Sequence, residues 1–99
     1  MTIELYIPKV IHHRANSIQK FMQQMINRLA VGQIRYGEPN KIQNYLTRIT
    51  LELKHYKRTG NSESLRNIAN YCWLENEAPE NKKFHYNDKA DSATRSLLP

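Results

Sequence analysis

Apolar residues recur along the chain with two different periods. From Thr2 to Ile7 they alternate, with Ile3, Leu5 and Ile7 on one side and Thr2, Glu4 and Tyr6 on the other. A period of two is the signature of a strand with one covered face, and Pro8 ends it. No second run of this kind follows. Because a strand's backbone groups need partners, residues 1–15 are expected either to pair as a short strand with another copy or to lie as an extended arm. From residue 16 the period lengthens. Ile18, Phe21, Met22, Met25, Ile26 and Leu29 are spaced as one stripe of an amphipathic helix. Asn16 or Ser17 can cap its start. Gly37, with Pro39 just beyond, stops it, so the spacing predicts a helix over 16–36 that runs through Gly32.

A second stripe, Ile42, Tyr45, Leu46, Ile49, Leu53 and Tyr56, predicts a helix that opens near Pro39 and Asn40 and ends at Thr59-Gly60. Asn61 and Ser62 can cap a third, with Glu63 in its first turn favoured by the helix dipole. Leu65, Ile68, Ala69 and Cys72 form its apolar face, with Trp73 at the edge, and Ala78-Pro79 closes it. The short Thr59-Gly60-Asn61 link makes the last two helices an antiparallel hairpin over 40–77. The fold class expected is therefore all-α: a small three-helix bundle, with a single domain over 1–99. Residues 1–15 form the strand or arm, 16–77 the helical core and 78–99 a polar tail. The three stripes are expected to face one another, which makes their Met and aromatic positions core residues. A Phe84-His85-Tyr86 cluster interrupts the tail and suggests that it docks.

Composition adds three constraints. Only 39% of the residues are apolar, and a domain of this size buries only about two-thirds of its unfolded surface. Stability is thus expected to be marginal and homo-oligomerisation to help. Cys72 is the one cysteine, so no internal disulfide can form, and its place on an apolar face predicts a small buried hydrophobe. No apolar run reaches the length of a membrane span, and the first residues lack the order of a secretory leader. The expected location is the cytoplasm.

Charge is uneven. Residues 1–74 carry eleven Lys or Arg against four Asp or Glu, while residues 75–99 carry four against five. Arg48, Lys54, Lys57 and Arg58 cluster over 48–58. Such a patch suits an anionic partner and equally suits a solvated helix face. It is too sparse for a dedicated nucleic-acid arm.

Catalytic chemistry is hard to assemble from these residues. A helical bundle holds a divalent metal through carboxylates at helical spacing on facing helices. The second helix offers only Glu52, followed by His55 and Tyr56. The third has Glu63 at its start, Glu75 and Glu77 at its end, and Asn67 and Asn70 in the middle, where Glu52 is expected to face it. Neutral amides do not replace carboxylates for Mg²⁺. His12 and His13 are adjacent and lack further donors at ligand spacing. Three glycines make no phosphate loop. The expectation is no metal, no cofactor and no catalytic set.

The stretch from Arg35 to Arg95 resembles a group of small phage and prophage proteins. The resemblance rests on Arg35-Tyr36-Gly37, then Glu52-Leu53 and Tyr56, then Thr59-Gly60-Asn61, Glu63, Leu65 and Ile68-Ala69-Asn70-Tyr71. The segment around Phe84, with Asp88, Ser92 and Arg95, completes it. More distantly, the layout is similar to the MazG-type all-α nucleoside triphosphate pyrophosphatases, whose paired helical carboxylates bind Mg²⁺. Here only Glu52 matches an acidic ligand position; His55 or Tyr56, and Asn67, stand where those enzymes have carboxylates. The resemblance therefore implies a nucleotide pocket without its ions. In that pocket Arg35, Lys57, Arg58 and Arg95 would hold phosphates. Tyr36, Tyr56, Tyr71 or Phe84 would stack on a base, and Asn70 would read its edge. Each tyrosine equally suits an amphipathic core position. Small phage proteins of this kind include counter-defence sponges that sequester the signalling nucleotides of bacterial immune systems, which implies a non-catalytic binder of a cyclic or other signalling nucleotide. Two other readings stay open. One is a degenerate Mg²⁺-dependent pyrophosphatase using Glu52, Glu63 and Glu75. The other is a module that docks on a host protein through its N-terminal segment or aromatic tail.

Overall fold

The computed structural model describes residues 3–38 and 44–87. It is a three-helix bundle: a 3-10 helix, Lys9–Arg14, leads into α1 (Ala15–Tyr36), followed by α2 (Tyr45–Thr59) and α3 (Glu63–Glu77). No strand occurs among the described residues; residues 3–8 take the other expected form, an arm, whereas 9–14, expected to extend it, coil into the 3-10 helix. Ile3 is 75% exposed, and Leu5 and Tyr6 are exposed with it. An all-helical domain offers no sheet edge to satisfy a lone strand. Pro8 opens the 3-10 turn, whose first bond runs from the Ile11 N–H to the Pro8 carbonyl at 3.0 Å. A His12 ring nitrogen bonds the Ile7 carbonyl at 2.7 Å.

Helix starts differ from the expectation in instructive ways. Neither Asn16 nor Ser17 caps α1. The 3-10 helix feeds it directly, and the Ala15 N–H bonds to the His12 carbonyl. For α2 the cap is Asn44, whose side chain accepts from the Thr47 N–H at 3.2 Å. Pro39, Asn40 and Ile42 lie outside the described residues. Helix stops follow the expectation. Gly37 (φ 74°) ends α1 and Gly60 (φ 71°, left-handed) ends α2, backbone states that cost a residue with a Cβ. The link to α3 is held by its polar side chains. The Thr59 hydroxyl donates to the His55 carbonyl at 2.8 Å, and Asn61 Oδ1 accepts the Glu63 N–H at 3.1 Å.

α3 is the shared element. It packs along α2 and crosses α1, while no Cα of α1 comes within 8 Å of an α2 Cα among the described residues. The stripes of α1 and α2 therefore do not meet, which corrects that part of the expectation, while the α1 stripe keeps Ile18, Phe21, Met22, Met25 and Leu29 half-buried. The two buried residues of α3 are polar, Ser64 and Asn70, with Leu65, Ile68, Ala69, Tyr71 and Leu74 half-buried beside them, whereas Cys72 and Trp73 are exposed. Cys72 is thus not the buried hydrophobe expected. Tyr45, 4% exposed, is the one buried hydrophobic residue among the described residues.

Polar contacts fix α1 on α3. Asn70 Nδ2 donates to the Met25 carbonyl at 3.0 Å. Arg66 reaches Gln24 Oε1 through Nε and Nη2 at 3.1 and 2.9 Å, and its guanidinium lies 4.6 Å over the Phe21 ring. Such a stacked cation contributes about 0.5–1 kcal/mol at an exposed site. Among the described residues, no helix is long and apolar enough to cross a membrane.

Candidate functional site

Because α1 and α2 touch α3 but not each other, they leave a wedge between them with α3 as its floor. The second half of α1 forms one wall, with Arg28, Leu29, Gly32, Arg35 and Tyr36. Arg48 and Glu52 stand on the α2 wall, and Asn67, Asn70, Tyr71 and Leu74 rise from α3. The cavity has a volume of about 540 Å³, within the roughly 300–1,000 Å³ range of small-molecule sites.

Helical spacing explains the assembly. Arg28, Gly32 and Arg35 are four and three residues apart, so they share a face of α1. Gly32 leaves that face open, since a Cβ placed there meets no atom within 4 Å. Arg48 and Glu52, four apart, share a face of α2. On α3, Asn67, Asn70, Tyr71 and Leu74 share another.

A polar chain crosses the floor and ties the three helices together. Arg28 Nε donates to Asn67 Oδ1, and Asn67 Nδ2 donates to Glu52 Oε1, each at 3.4 Å. Both contacts are long and individually weak. Arg28 also pairs with Glu63 at 3.0 Å; that pair is half-exposed and contributes little. The sequence expectation that Glu52 faces Asn67 holds. Among the described residues Arg35 and Arg48 form no ion pair.

Tyr71 is backed by Tyr45, their ring centroids 6.2 Å apart and their planes 26° from parallel. Burial pushes the Tyr45 phenol above its usual range; Arg48 beside it opposes that shift and Tyr71 adds to it. Asn70 is only 7% exposed, and its carboxamide oxygen has no hydrogen-bond partner among the described residues.

The wedge brings together Arg35, Tyr36, Asn70 and Tyr71 of the residues expected to bind a ligand. It does not include Tyr56, Lys57 and Arg58, which sit at the turn end of α2, where Arg58 Nη2 lies 3.1 Å from His55 Nδ1. Phe84 is half-exposed in the segment after α3 and is absent from the walls. Arg95 lies outside the described residues. Arg28, Arg48 and Gly32 are additions. Their signal was the spacing of Arg28 and Arg35 on one helix face, which clustering by sequence position conceals. The run 48–58 divides: Arg48 faces the wedge and its other cations do not line it.

The donor set for a metal is thin. Glu75 Oε1 is taken by the N–H groups of Glu80 and Asn81 at 2.7 and 3.2 Å. Among the described residues no three His, Cys, Asp or Glu side chains come together. Glu52, Glu63 and Glu75 therefore do not converge as the pyrophosphatase reading requires. No family model matches the chain, and no curated protein or solved structure is significantly similar to it.

Proposed function

We propose that this chain is a non-catalytic nucleotide-binding protein and that the wedge between α1 and α2 is its site. One observation carries the reading: Arg28, Arg35 and Arg48 line a single cavity together with Tyr36, Tyr71 and the carboxamides of Asn67 and Asn70. Guanidinium groups bind phosphate oxygens in paired, directional hydrogen bonds. A tyrosine face stacks on a base. Asn70 adds a carboxamide to the cavity floor, able to hydrogen-bond the edge of a base. A single cavity carboxylate, Glu52, supports binding over metal-assisted hydrolysis. The role we attach to the site is sequestration of a signalling nucleotide, linear or cyclic, in the cytoplasm. The resemblance to small phage and prophage proteins is part of the same proposal.

The test is a retention experiment. The purified chain is incubated with a panel of linear, cyclic and ADP-ribose-derived nucleotides, with and without Mg²⁺. Unbound ligand is filtered away, the protein is denatured, and released compounds are identified by chromatography. The expected result is one nucleotide retained without Mg²⁺ and recovered intact. A Mg²⁺-dependent cleaved product would overturn the reading in favour of the pyrophosphatase, and retention of nothing would point to a protein-docking module.

A further inference from the structure

The wedge holds one carboxylate, Glu52, among three guanidinium groups. Among the described residues it forms an ion pair with none of them. The hydrogen bond it accepts there runs from Asn67 Nδ2 to Glu52 Oε1, at 3.4 Å, long enough to leave that oxygen weakly engaged. Neighbours fix which way the Asn67 carboxamide turns. Arg28 only donates, so Asn67 Oδ1 faces its Nε; a carboxylate only accepts, so Nδ2 faces Glu52. Asn67 Nδ2 keeps a second hydrogen, and Glu52 keeps its second oxygen. Both side chains line the cavity and both are half-buried. Side by side they offer two acceptors, Oε2 and Oε1, followed by a donor, Nδ2.

We infer that the wedge selects guanine over adenine nucleotides, with Glu52 and Asn67 reading the base; the inference rests on the nucleotide reading proposed above. Proteins read an unpaired base on its Watson–Crick edge. Guanine presents there its N2 amine, its N1–H and its O6. Two donors followed by an acceptor are the complement of Oε2, Oε1 and Nδ2. Adenine sets the lone pair of its N1 against the carboxylate and brings a single amine. Cytosine likewise brings one amine beside a lone pair, and uracil one N–H between two carbonyls. A phosphate does not belong at this position, because like charges repel. Its place is at Arg48, on the same face of α2 as Glu52 and one turn before it, about 6 Å along the axis, with Arg35 on the facing wall. A nucleotide carries its base and its phosphate at opposite ends, and the α2 wall sets its acceptor and its cation apart in the same way.

The test is competition on the native full chain, followed by one variant. Guanosine, inosine and adenosine 5′-triphosphates share their phosphates, so the arginines treat them alike. Cyclic di-GMP and cyclic di-AMP form a second matched set. In the set that the protein retains without Mg²⁺, the guanine nucleotide is expected to bind at least about tenfold tighter than the adenine one, the worth of a hydrogen bond to a charged group. The inosine nucleotide, which lacks the N2 amine, is expected between them. Glu52→Gln is expected to keep its helical circular dichroism, lose about tenfold for guanine and reverse the order, since an amide accepts from the adenine amine and donates to adenine N1. An adenine nucleotide bound as tightly as its guanine counterpart by the native chain overturns the inference and leaves the nucleotide site standing. A folded Glu52→Gln that weakens both bases equally, or neither, makes Glu52 a support for Asn67 alone and overturns it too. If the variant loses helix content, the native competition decides by itself. Retention of neither set overturns this inference, and the wider nucleotide panel then shows whether the site reading falls with it.

Discussion

The two flanks of the α2–α3 hairpin are built from the same two helices and have opposite chemistry. The wedge flank presents Arg48, Glu52, Asn67 and Asn70 to a cavity that α1 closes on one side. The far flank presents Leu46, Leu53 and Cys72 to solvent. In a self-sufficient bundle the apolar flank would be the interior. Here the intramolecular partner, α1, lies on the polar flank and is held there by directional bonds from Asn70, Arg66 and Arg28. The difference suggests a division of labour. Hydrogen bonds shape the site within the chain, and the far flank is left uncovered by it.

The largest effect of removing a single charge lies in the wedge. Replacing Arg35 or Arg48 by Ala is expected to weaken retention of the bound nucleotide by about 10- to 100-fold each, the worth of a charged hydrogen bond. Isothermal titration measures the loss, and circular dichroism should show helix content unchanged. Lys57→Ala and Arg58→Ala, outside the wedge, should change affinity by less than about threefold, since exposed charges beyond the site are screened by salt. Equal losses at both ends of α2 would break the contrast between a built site and a diffuse basic surface.

Next in size is Asn70→Ala. It removes the bond to the Met25 carbonyl and leaves a small void, so urea denaturation should show a loss of about 1–3 kcal/mol. Affinity should fall as well, because the same side chain forms part of the cavity wall. A stability loss with undiminished affinity would make Asn70 a fastener alone.

Gly32 separates stability from binding. In mid-helix, Gly32→Ala should raise stability by about 1 kcal/mol, and the new Cβ meets nothing within 4 Å. Gly32→Phe points a ring into the wedge and should abolish retention while the helices persist. Thermal melts and the filtration assay read the two effects. Retention by Gly32→Phe at native affinity would place the ligand elsewhere.

These contrasts also show what was legible in the residues. Helix number, the continuation of α1 through Gly32, and the stops at Gly37 and Gly60 were readable, because glycine conformation and helical period act locally. The facing of Glu52 and Asn67 followed from the short Thr59-Gly60-Asn61 link, which sets the register of the hairpin. The orientation of α3 toward α1 was not readable from its apolar stripe. Leu65, Ile68, Ala69 and Cys72 suggest an inward face, yet Asn70 and Arg66 supply the contacts that dock α1. Apolar period tells which face seeks burial and leaves open whether the same chain or another provides it. The residues expected to bind a ligand divide in the same way, with Arg35, Tyr36, Asn70 and Tyr71 lining the wedge and Tyr56, Lys57, Arg58 and Phe84 standing outside it. Arg35 and Tyr71 are far apart in sequence and share the wedge, whereas Arg58, close in sequence to Arg48, points to the turn.

The smallest expected effect is a pH dependence carried by Tyr45, which stands where α2 meets α3, behind Tyr71. Its phenol is held above the ordinary tyrosine value of about 10, first by burial and further by Tyr71, with Arg48 pulling the other way. A raised value means that the folded chain holds the proton more tightly than the unfolded chain. The resulting stabilisation is complete below the unfolded value and is lost as pH rises through the folded one. Native protein should therefore lose stability relative to Tyr45→Phe in urea titrations above about pH 10, where an unfolded tyrosine ionises. Between neutral pH and that point the difference between the two proteins should stay constant. Arg48 also links this titration to the wedge. An anion that engages its guanidinium weakens the one cation favouring the tyrosinate, so saturating ligand should move the alkaline limb to still higher pH in the native protein. An unmoved limb in the presence of bound nucleotide would take Arg48 out of the site while leaving Arg35 in it.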